Sequence, residues 1–189
     1  MPVKGKGSEF ERQICKRLSK WWTDEERDDV FWRSQTSGAR ATTRGKSGLK
    51  TFGQYGDIQA CDPCGQTLLD VFTIEVKRGY SSACICDMLD KPDSAAQKEL
   101  DKFIEQVQED TRKAGSLYWM VIWQRNRRQP VVVTSFRICR NLPQLKKVPH
   151  LRGKLRMNSG KCQTLFSCTL EDFLSLVTRN DVECMTIRS

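Results

Sequence analysis

The sequence predicts an α/β fold in which helices flank a central mixed β-sheet. Apolar residues recur at helical spacing over residues 9–22 and 94–114. Runs of β-branched and aromatic residues, as strands prefer, occur at 68–77 and 117–124. Because helical and strand segments alternate along the chain, we expect them to pack as layers, with the helices covering the sheet.

The first helix is predicted to run from Glu9 to about Trp22. Ser8 and Glu11 have the spacing of a capping box, with Ser8 as the N-cap residue. The expected apolar face consists of Phe10, Ile14, Leu18 and Trp21. The acidic stretch at 24–29 predicts an exposed loop or helix end, and a short strand is expected at 30–34.

The segment between Asp57 and Glu75 is predicted to form a β-hairpin. A dense turn signal at 62–66 separates a short run at 56–61 from the strand-like run at 68–77. Facing positions in an antiparallel hairpin have a constant sum, so Asp57 is expected close to Glu75.

The charged face of the second hairpin strand is the candidate site. Glu75 and Lys77 are two residues apart and share one face, whereas Val76 points to the other. A Glu-x-Lys tripeptide is expected about once by chance in a chain with this composition. The prediction therefore depends on the strand context and on Asp57. Two carboxylates with an adjacent lysine are suited to Mg²⁺-assisted hydrolysis of phosphodiesters.

The second half of the chain is expected to complete the sheet. The predicted elements are a helix at 94–114 ended by Gly115, strands at 117–124, 130–136 and 165–168, a basic turn at 125–129, and a closing helix capped by Thr169. Residues 137–161 are basic and show no periodicity. We therefore predict a single domain over 1–189, with a core at about 7–136 and a basic extension at 137–189.

Composition favours a polyanionic partner. The net charge is +9 despite 23 acidic residues, which suits nucleic acid. The basic residues form three clusters: Arg33, Arg40, Arg44, Lys46 and Lys50; Arg125, Arg127 and Arg128; and Arg137, Arg140, Lys146, Lys147, Arg152, Lys154, Arg156 and Lys161. No run approaches the roughly 20 apolar residues of a membrane span, and the basic N-terminus lacks an apolar region. We expect a cytoplasmic protein of a bacterial, archaeal or phage-infected cell.

The nine cysteines predict reduced thiols, since the number is odd and no export signal is present. Zinc is the alternative, with Cys61, Cys64, Cys84 and Cys86 as ligands, but a hairpin would separate the two pairs. The remaining thiols, Cys15, Cys139, Cys162, Cys168 and Cys184, are predicted to be buried. The one histidine, His150, is expected on a surface loop, which argues against enzymes that need two histidines.

Taken together, these motifs resemble the PD-(D/E)XK nuclease superfamily, whose restriction-endonuclease-like core has the order α-β-β-β-α-β. Asp57 and the run Glu75-Val76-Lys77 match its motif positions, with Gly56 where a proline often stands. Within the superfamily, the pattern is most similar to the archaeal and phage Holliday junction resolvases. The matching segments are Gly7-Ser8-Glu9-Phe10-Glu11-Arg12, Arg33 followed by Ser37-Gly38, and more loosely Gln97, Leu100 and Phe103.

The resemblance implies a role for each matched residue. Asp57, Glu75 and the backbone carbonyl of Val76 are implied ligands of Mg²⁺, for which Mn²⁺ is expected to substitute. Lys77 is implied to orient or deprotonate the attacking water. Glu11 is either a third carboxylate for the metal or only part of the helix cap. The expected DNA-binding residues are Arg33, Ser37, Arg40, Arg44, Lys46, Arg125, Arg127 and Arg128.

The leading functional hypothesis is a Mg²⁺-dependent DNA endonuclease selective for Holliday junctions or other branched DNA. A homodimer is expected, because two symmetric cuts need two sites. Three alternatives stay open: a sequence-specific restriction-like endonuclease that reads bases through residues 137–161, a non-catalytic DNA-binding or packaging subunit, and a zinc-stabilised binding module.

Overall fold

The predicted fold class is confirmed. The computed structural model describes residues 6–34, 55–79, 95–156, 160 and 162–187. In these ranges a five-stranded mixed sheet is flanked by helices on both faces. None of the described helices is both long enough and apolar enough to span a membrane.

Helices and strands alternate along the chain, although not in every position predicted. The helices are α1 Lys6–Trp22, α2 Gln66–Val71, α3 Ala95–Ala114, α4 Leu170–Leu176 and α5 Arg179–Ile187. The strands are β1 Phe31–Arg33, β2 Ile58–Ala60, β3 Phe72–Arg78, β4 Tyr118–Gln124, β5 Val131–Ser135, β6 Leu151–Arg156 and β7 Cys162–Thr169. Short 3₁₀ helices cover Pro63–Gly65, Phe136–Arg140 and Pro143–Lys147.

The main sheet has the strand order β3-β4-β5-β7-β6. Only β3 and β4 are parallel, with Glu75 beside Val121 and Lys77 beside Trp123; the other neighbours are antiparallel. The strands β1 and β2 form a separate antiparallel pair. The sheet therefore combines a parallel connection through α3 with antiparallel strands, as expected for a mixed sheet.

The two faces of β3 meet different layers. Ile74 and Val76 are buried with α1, whereas Val121, next to Glu75, is buried with α3. Since side chains alternate along a strand, Glu75 and Lys77 point to the α3 face. Trp119 and Trp123 are buried on that same face, so both belong to the core.

The first helix differs from its prediction only at its start. It begins at Lys6, so Ser8 lies inside the helix and the predicted capping box is wrong. The predicted apolar face is confirmed, although Trp22 is more deeply buried than Trp21. The acidic residues 24–29 are exposed, as expected.

The predicted hairpin between Asp57 and Glu75 is wrong. The strand β2 pairs with β1, and residues 63–71 form a 3₁₀ turn followed by α2. The run at 68–77 is rich in β-branched and aromatic residues and suggested one long strand. However, Leu68 and Val71 are three apart and are buried together on one helical face. Tertiary burial at helical spacing has overridden the local strand preference.

In the second half, the predicted helix, strands and Thr169 cap are confirmed. The helix α3 ends just before Gly115, whose φ is +78°. At the start of α4, the Asp172 N–H donates to Thr169 Oγ1 at 3.0 Å. The described residues within 137–161, for which no elements were predicted, contain two 3₁₀ turns and β6. Neither β6 nor α5 was predicted, because both are short and lack a clear apolar period.

The thiol predictions are only partly confirmed. Cys15, Cys139 and Cys168 are buried, but Cys162 is exposed and Cys184 is half-buried. His150 is exposed as predicted, and its ring stacks on Phe166 at a centroid distance of 5.3 Å. The polar loop at 35–53, the segment at 80–92 and the thiols of Cys84 and Cys86 lie outside the described residues.

Candidate active site

Asp57 lies directly across from Glu75, as the sequence predicts, although no hairpin joins them. The Asp57 N–H donates to the Ile74 carbonyl at 2.8 Å. The Val76 N–H in turn donates to Asp57 Oδ2 at 2.9 Å. These two hydrogen bonds attach the start of β2 to the middle of β3 and place the Asp57 carboxylate opposite Glu75.

Gly56 is what allows this close approach. Its φ is +78°, a left-handed conformation that glycine adopts without strain. A Cβ at this position would lie 2.6 Å from the carbonyl oxygen of Ile74. The residue before Asp57 is therefore constrained to glycine by the backbone of β3.

Glu75 is almost fully buried, with 2% of its surface exposed. Its Oε1 accepts hydrogen bonds from the ammonium group of Lys77 and, at 2.9 Å, from Gln106 Nε2. The Lys77 Nζ also lies 5.3 Å from the ring centroid of Phe103. Burial, the ion pair and the aromatic ring together hold Lys77 beside the two carboxylates.

Both carboxylates are electrostatically unfavourable as anions. Burial, followed by repulsion from Asp57, raises the pKa of Glu75 to about 7, although Lys77 opposes the shift. Burial also raises the pKa of Asp57, against the lowering effects of the Val76 N–H and Lys77. A bound cation would relieve this repulsion, because opposite charge favours the ionised form of both groups.

Glu11 and Arg33 lie close to this pair. Arg33 Nη1 is 3.6 Å from Glu11 Oε2. Burial, followed by the charge of Asp57, raises the pKa of Glu11 above its usual value, and Arg33 partly opposes this shift. Since α1 begins at Lys6, the proposed capping role does not explain Glu11, and its side chain lies within the field of the candidate site.

Two residues of α3 belong to the site and were not predicted. Gln106 donates to Glu75, and the pKa of Asp110 is raised by burial and by Asp57, with Lys113 and Lys77 opposing. Gln106 and Asp110 follow Phe103 by three and seven residues, which places all three on one side of the helix. That spacing was present in the sequence, but the contact with Glu75 depends on how α3 packs on β3.

Ser34 adds an unpaired hydroxyl near the site. Its N–H donates to the Asp57 carbonyl at 2.8 Å. Its Oγ is buried and has no hydrogen-bond partner among the residues that the structure describes. A buried polar atom of this kind is costly unless a water or a ligand pairs with it.

The donor atoms at this position fit a hydrated Mg²⁺ ion. Mg²⁺ is commonly held by one or two carboxylates while it keeps several waters. Asp57 and Glu75 supply two carboxylates, and cation binding is consistent with their raised pKa values. Within the described ranges, no three His, Cys, Asp or Glu side chains are grouped closely enough to enclose an ion. The site is thus suited to a water-rich cation bound by two carboxylates.

The predicted DNA-binding residues are only partly described. The turn with Arg125, Arg127 and Arg128 follows β4 at the end where Gln124 pairs with Arg78, so it lies at the same end of the sheet as Lys77. The guanidinium of Arg125 is 5.9 Å from the Trp123 ring centroid. The other predicted contacts, Ser37, Arg40, Arg44 and Lys46, lie outside the described residues.

Comparison with known proteins identifies the family. No curated protein and no solved structure gives a significant match to the chain. One family model, described as "Phage putative PDDEXK endonuclease", matches residues 3–183. The match includes Asp57, Glu75 and Lys77, the residues that the structure brings together. The chain therefore belongs to this phage PDDEXK endonuclease family and, with it, to the PD-(D/E)XK nuclease superfamily.

Proposed function

We propose that this nuclease is a Mg²⁺-dependent DNA endonuclease that acts on Holliday junctions or other branched DNA. The observation that carries the catalytic part is the convergence of Asp57, Glu75 and Lys77 on one side of the β2–β3 contact. The preference for branched DNA is supported by the sequence resemblance at the first helix and at Arg33. We place its action in the cytoplasm of a bacterial, archaeal or phage-infected cell.

The cation would be held by Asp57, Glu75 and the backbone carbonyl of Val76, with Glu11 as a further carboxylate nearby. When bound, it supplies Lewis-acid polarisation of the scissile phosphate and lowers the pKa of a coordinated water. Mn²⁺ is expected to substitute, because carboxylate and water ligands suit both ions.

Lys77 is the candidate for handling the nucleophile. Its ammonium group is held by Glu75 and lies near Phe103, so its position is fixed before substrate binds. As a cation it orients water and stabilises the negative charge that develops on the phosphate. To act as a base it must first lose a proton, which requires its pKa to fall.

Gln106 is a positioning residue in this scheme. Its amide holds one oxygen of Glu75, which limits the rotation of that carboxylate. Partners of this kind fix the orientation of ligand side chains and strengthen metal binding.

The arginine side chains near the site are suited to the DNA backbone. Arg33 and the turn containing Arg125, Arg127 and Arg128 would contact phosphates, which gives affinity without sequence reading. A homodimer would supply the two active sites that paired cuts across a junction require.

The proposal is tested by incubating the protein with labelled four-way junction, flap, single-stranded and linear duplex DNA, with Mg²⁺ or with EDTA. Lys77→Ala is the test variant, and Lys16→Ala is its control, since Lys16 is an exposed lysine of α1 that pairs with Asp28. We expect cleavage that needs Mg²⁺, falls about 10³-fold in Lys77→Ala and persists in Lys16→Ala.

Paired symmetric nicks restricted to the junction would support resolution of Holliday junctions. Cleavage of linear duplex at defined sequences would instead contradict the branched-DNA preference. Tight DNA binding without cleavage of any substrate would overturn the catalytic proposal.

A further inference from the structure

A cleft of about 1000 Å³ lies at the end of the sheet away from Lys77. We call it the basic cleft. It is bounded by Tyr118 at the start of β4, Ser135 at the end of β5 and Gln163 near the start of β7. The 3₁₀ turn Phe136–Arg140 forms another wall. The cleft therefore lies where the predicted core meets the segment at 137–161.

The cleft is separate from the candidate active site. Lys77 lies beside Trp123 in the parallel β3–β4 pair, whereas the cleft begins at Tyr118. Five strand residues, or about 17 Å, separate these positions, and three, or about 10 Å, separate Tyr118 from Val121 beside Glu75. None of the residues Asp57, Glu75 and Lys77 lines the cleft.

Positive charge dominates the lining of this cleft. Its charged residues are four cations, Arg137, Arg140, Lys146 and Arg152, and one acid, Glu105. All four cations are exposed, and none is within ion-pair distance of a carboxylate in the described part of the chain. Cations on α1 are different, since Lys16 and Lys20 both pair with acids. The cleft thus keeps uncompensated positive charge facing solvent.

An aromatic ring takes the place of a carboxylate here. The guanidinium of Arg152 lies 4.2 Å from the ring centroid of Phe136, and the Lys146 ammonium lies 5.9 Å from it. A guanidinium over an aromatic face is held in position while its planar N–H donors remain available for bidentate binding of phosphate. The stacking orders Arg152 without neutralising it.

The positive potential also reaches the wall of the cleft. Burial raises the pKa of the Cys139 thiol, and the charges of Lys146 and Arg152 oppose that shift. Both cations therefore lie close enough to Cys139 to act on the same point of the wall.

We propose that this cleft binds the phosphodiester backbone of the nucleic acid that the nuclease cuts, roughly three to five base pairs away from the scissile bond at 3.4 Å per pair. The identity of the ligand as substrate DNA rests on the proposed function. Nucleic acid is favoured over a small phosphorylated ligand because all four cations are exposed and the whole chain carries a net charge of +9. Backbone contacts at this distance would add affinity and set the orientation of the duplex on the enzyme.

The test measures DNA binding in EDTA, where no cleavage occurs, as a function of salt. The test variant is Arg140→Gln with Lys146→Gln, and the matched control is Lys16→Gln with Lys20→Gln; each removes two positive charges. A second test variant, Arg152→Gln, removes the stacked guanidinium. The slope of log affinity against log salt is negative for such binding. We expect its magnitude to decrease by about 2 for the cleft pair and by about 1 for Arg152→Gln. The affinity of both cleft variants should be at least about tenfold lower than that of the wild type. The control pair should keep its slope and stay within about twofold of the wild-type affinity.

Equal losses in the cleft pair and the control pair would overturn the proposal, because general charge would then explain the binding. Unchanged DNA affinity together with loss of ATP or inorganic pyrophosphate binding would also overturn it, in favour of a small phosphorylated ligand. Thermal unfolding of each variant excludes misfolding as the cause. The two proposals fail separately: cleavage with no cleft effect overturns only this one, and a cleft effect without any cleavage overturns only the nuclease activity.

Discussion

The candidate active site and the basic cleft differ in the sign and the exposure of their charged residues. At the candidate active site, Asp57 and Glu75 are buried and their anionic forms are disfavoured. In the basic cleft, the cations are exposed, and Arg152 is ordered by the ring of Phe136. The candidate active site thus holds two buried carboxylates that repel each other. The basic cleft instead holds exposed cations that face solvent.

This difference separates chemistry from affinity. Buried carboxylates with raised pKa values are suited to capturing a cation in a fixed position, which costs stability until the cation binds. Exposed cations cost little stability and increase attraction for a polyanion over a longer range. We therefore expect substitutions at the candidate active site to change folding and cleavage together, whereas substitutions in the basic cleft change binding alone.

The largest structural effect is expected from Gly56→Ala. A methyl group there meets the Ile74 carbonyl at 2.6 Å and must also adopt a φ of +78°. We expect a loss of about 3 kcal/mol in the free energy of unfolding, measured by urea denaturation. Displacement of Asp57 should also abolish Mg²⁺-dependent cleavage.

Gly115→Ala is the matched control for this prediction. Its φ is also +78°, but no atom lies within 4 Å of the added Cβ. It should cost only about 1 kcal/mol, the strain of the left-handed conformation. Equal losses in the two variants would show that the close contact between β2 and β3 does not matter.

A pH-dependent effect is expected from Glu75→Gln in the metal-free protein. The pKa of Glu75 rises from 4.5 to about 7 on folding, so the folded protein binds this proton more tightly than the unfolded chain. Ionisation of Glu75 therefore lowers the free energy of unfolding of the wild-type protein as pH rises above 4.5, and this loss is complete above pH 7.

Glutamine at position 75 does not ionise, so the Glu75→Gln variant lacks this pH-dependent loss of stability. In EDTA we expect Glu75→Gln to be more stable than wild type at pH 8, by up to about 3 kcal/mol, and similar to it at pH 4.5. Lys146→Gln in the basic cleft should stay within about 0.5 kcal/mol of wild type at both pH values. A gain for Glu75→Gln that did not depend on pH would contradict the assignment to Glu75 ionisation.

The smallest of these effects is expected from Gln106→Ala. Its amide donates to Glu75 and favours the charged carboxylate. Its loss should therefore raise the pKa of Glu75 and move the acid limb of the pH–rate profile to higher pH. We expect cleavage near pH 7 to fall about tenfold and to recover partly at pH 8.5.

Gln66→Ala provides the control, since Gln66 hydrogen-bonds to Asp70 on α2. Its pH–rate profile should match that of the wild type. A tenfold loss in Gln106→Ala that was the same at every pH would point to a merely structural role.

Local patterns in the sequence determined the elements that form the candidate active site. The apolar faces of α1 and α3 repeat at helical spacing, and β3 alternates so that Glu75 and Lys77 share a face. Each of these features depends on neighbouring residues and on the period of one element, so it can be predicted from the chain alone. The position of Asp57 opposite Glu75 was also correct.

Only the tertiary structure decided how those elements meet. The segment at 63–71 formed a helix because burial of Leu68 and Val71 outweighed strand preference, and β2 reached β3 after pairing with β1. The contact of Gln106 with Glu75 and the basic cleft both join residues that are distant in sequence. Such contacts depend on the packing of whole elements, and no local period records them.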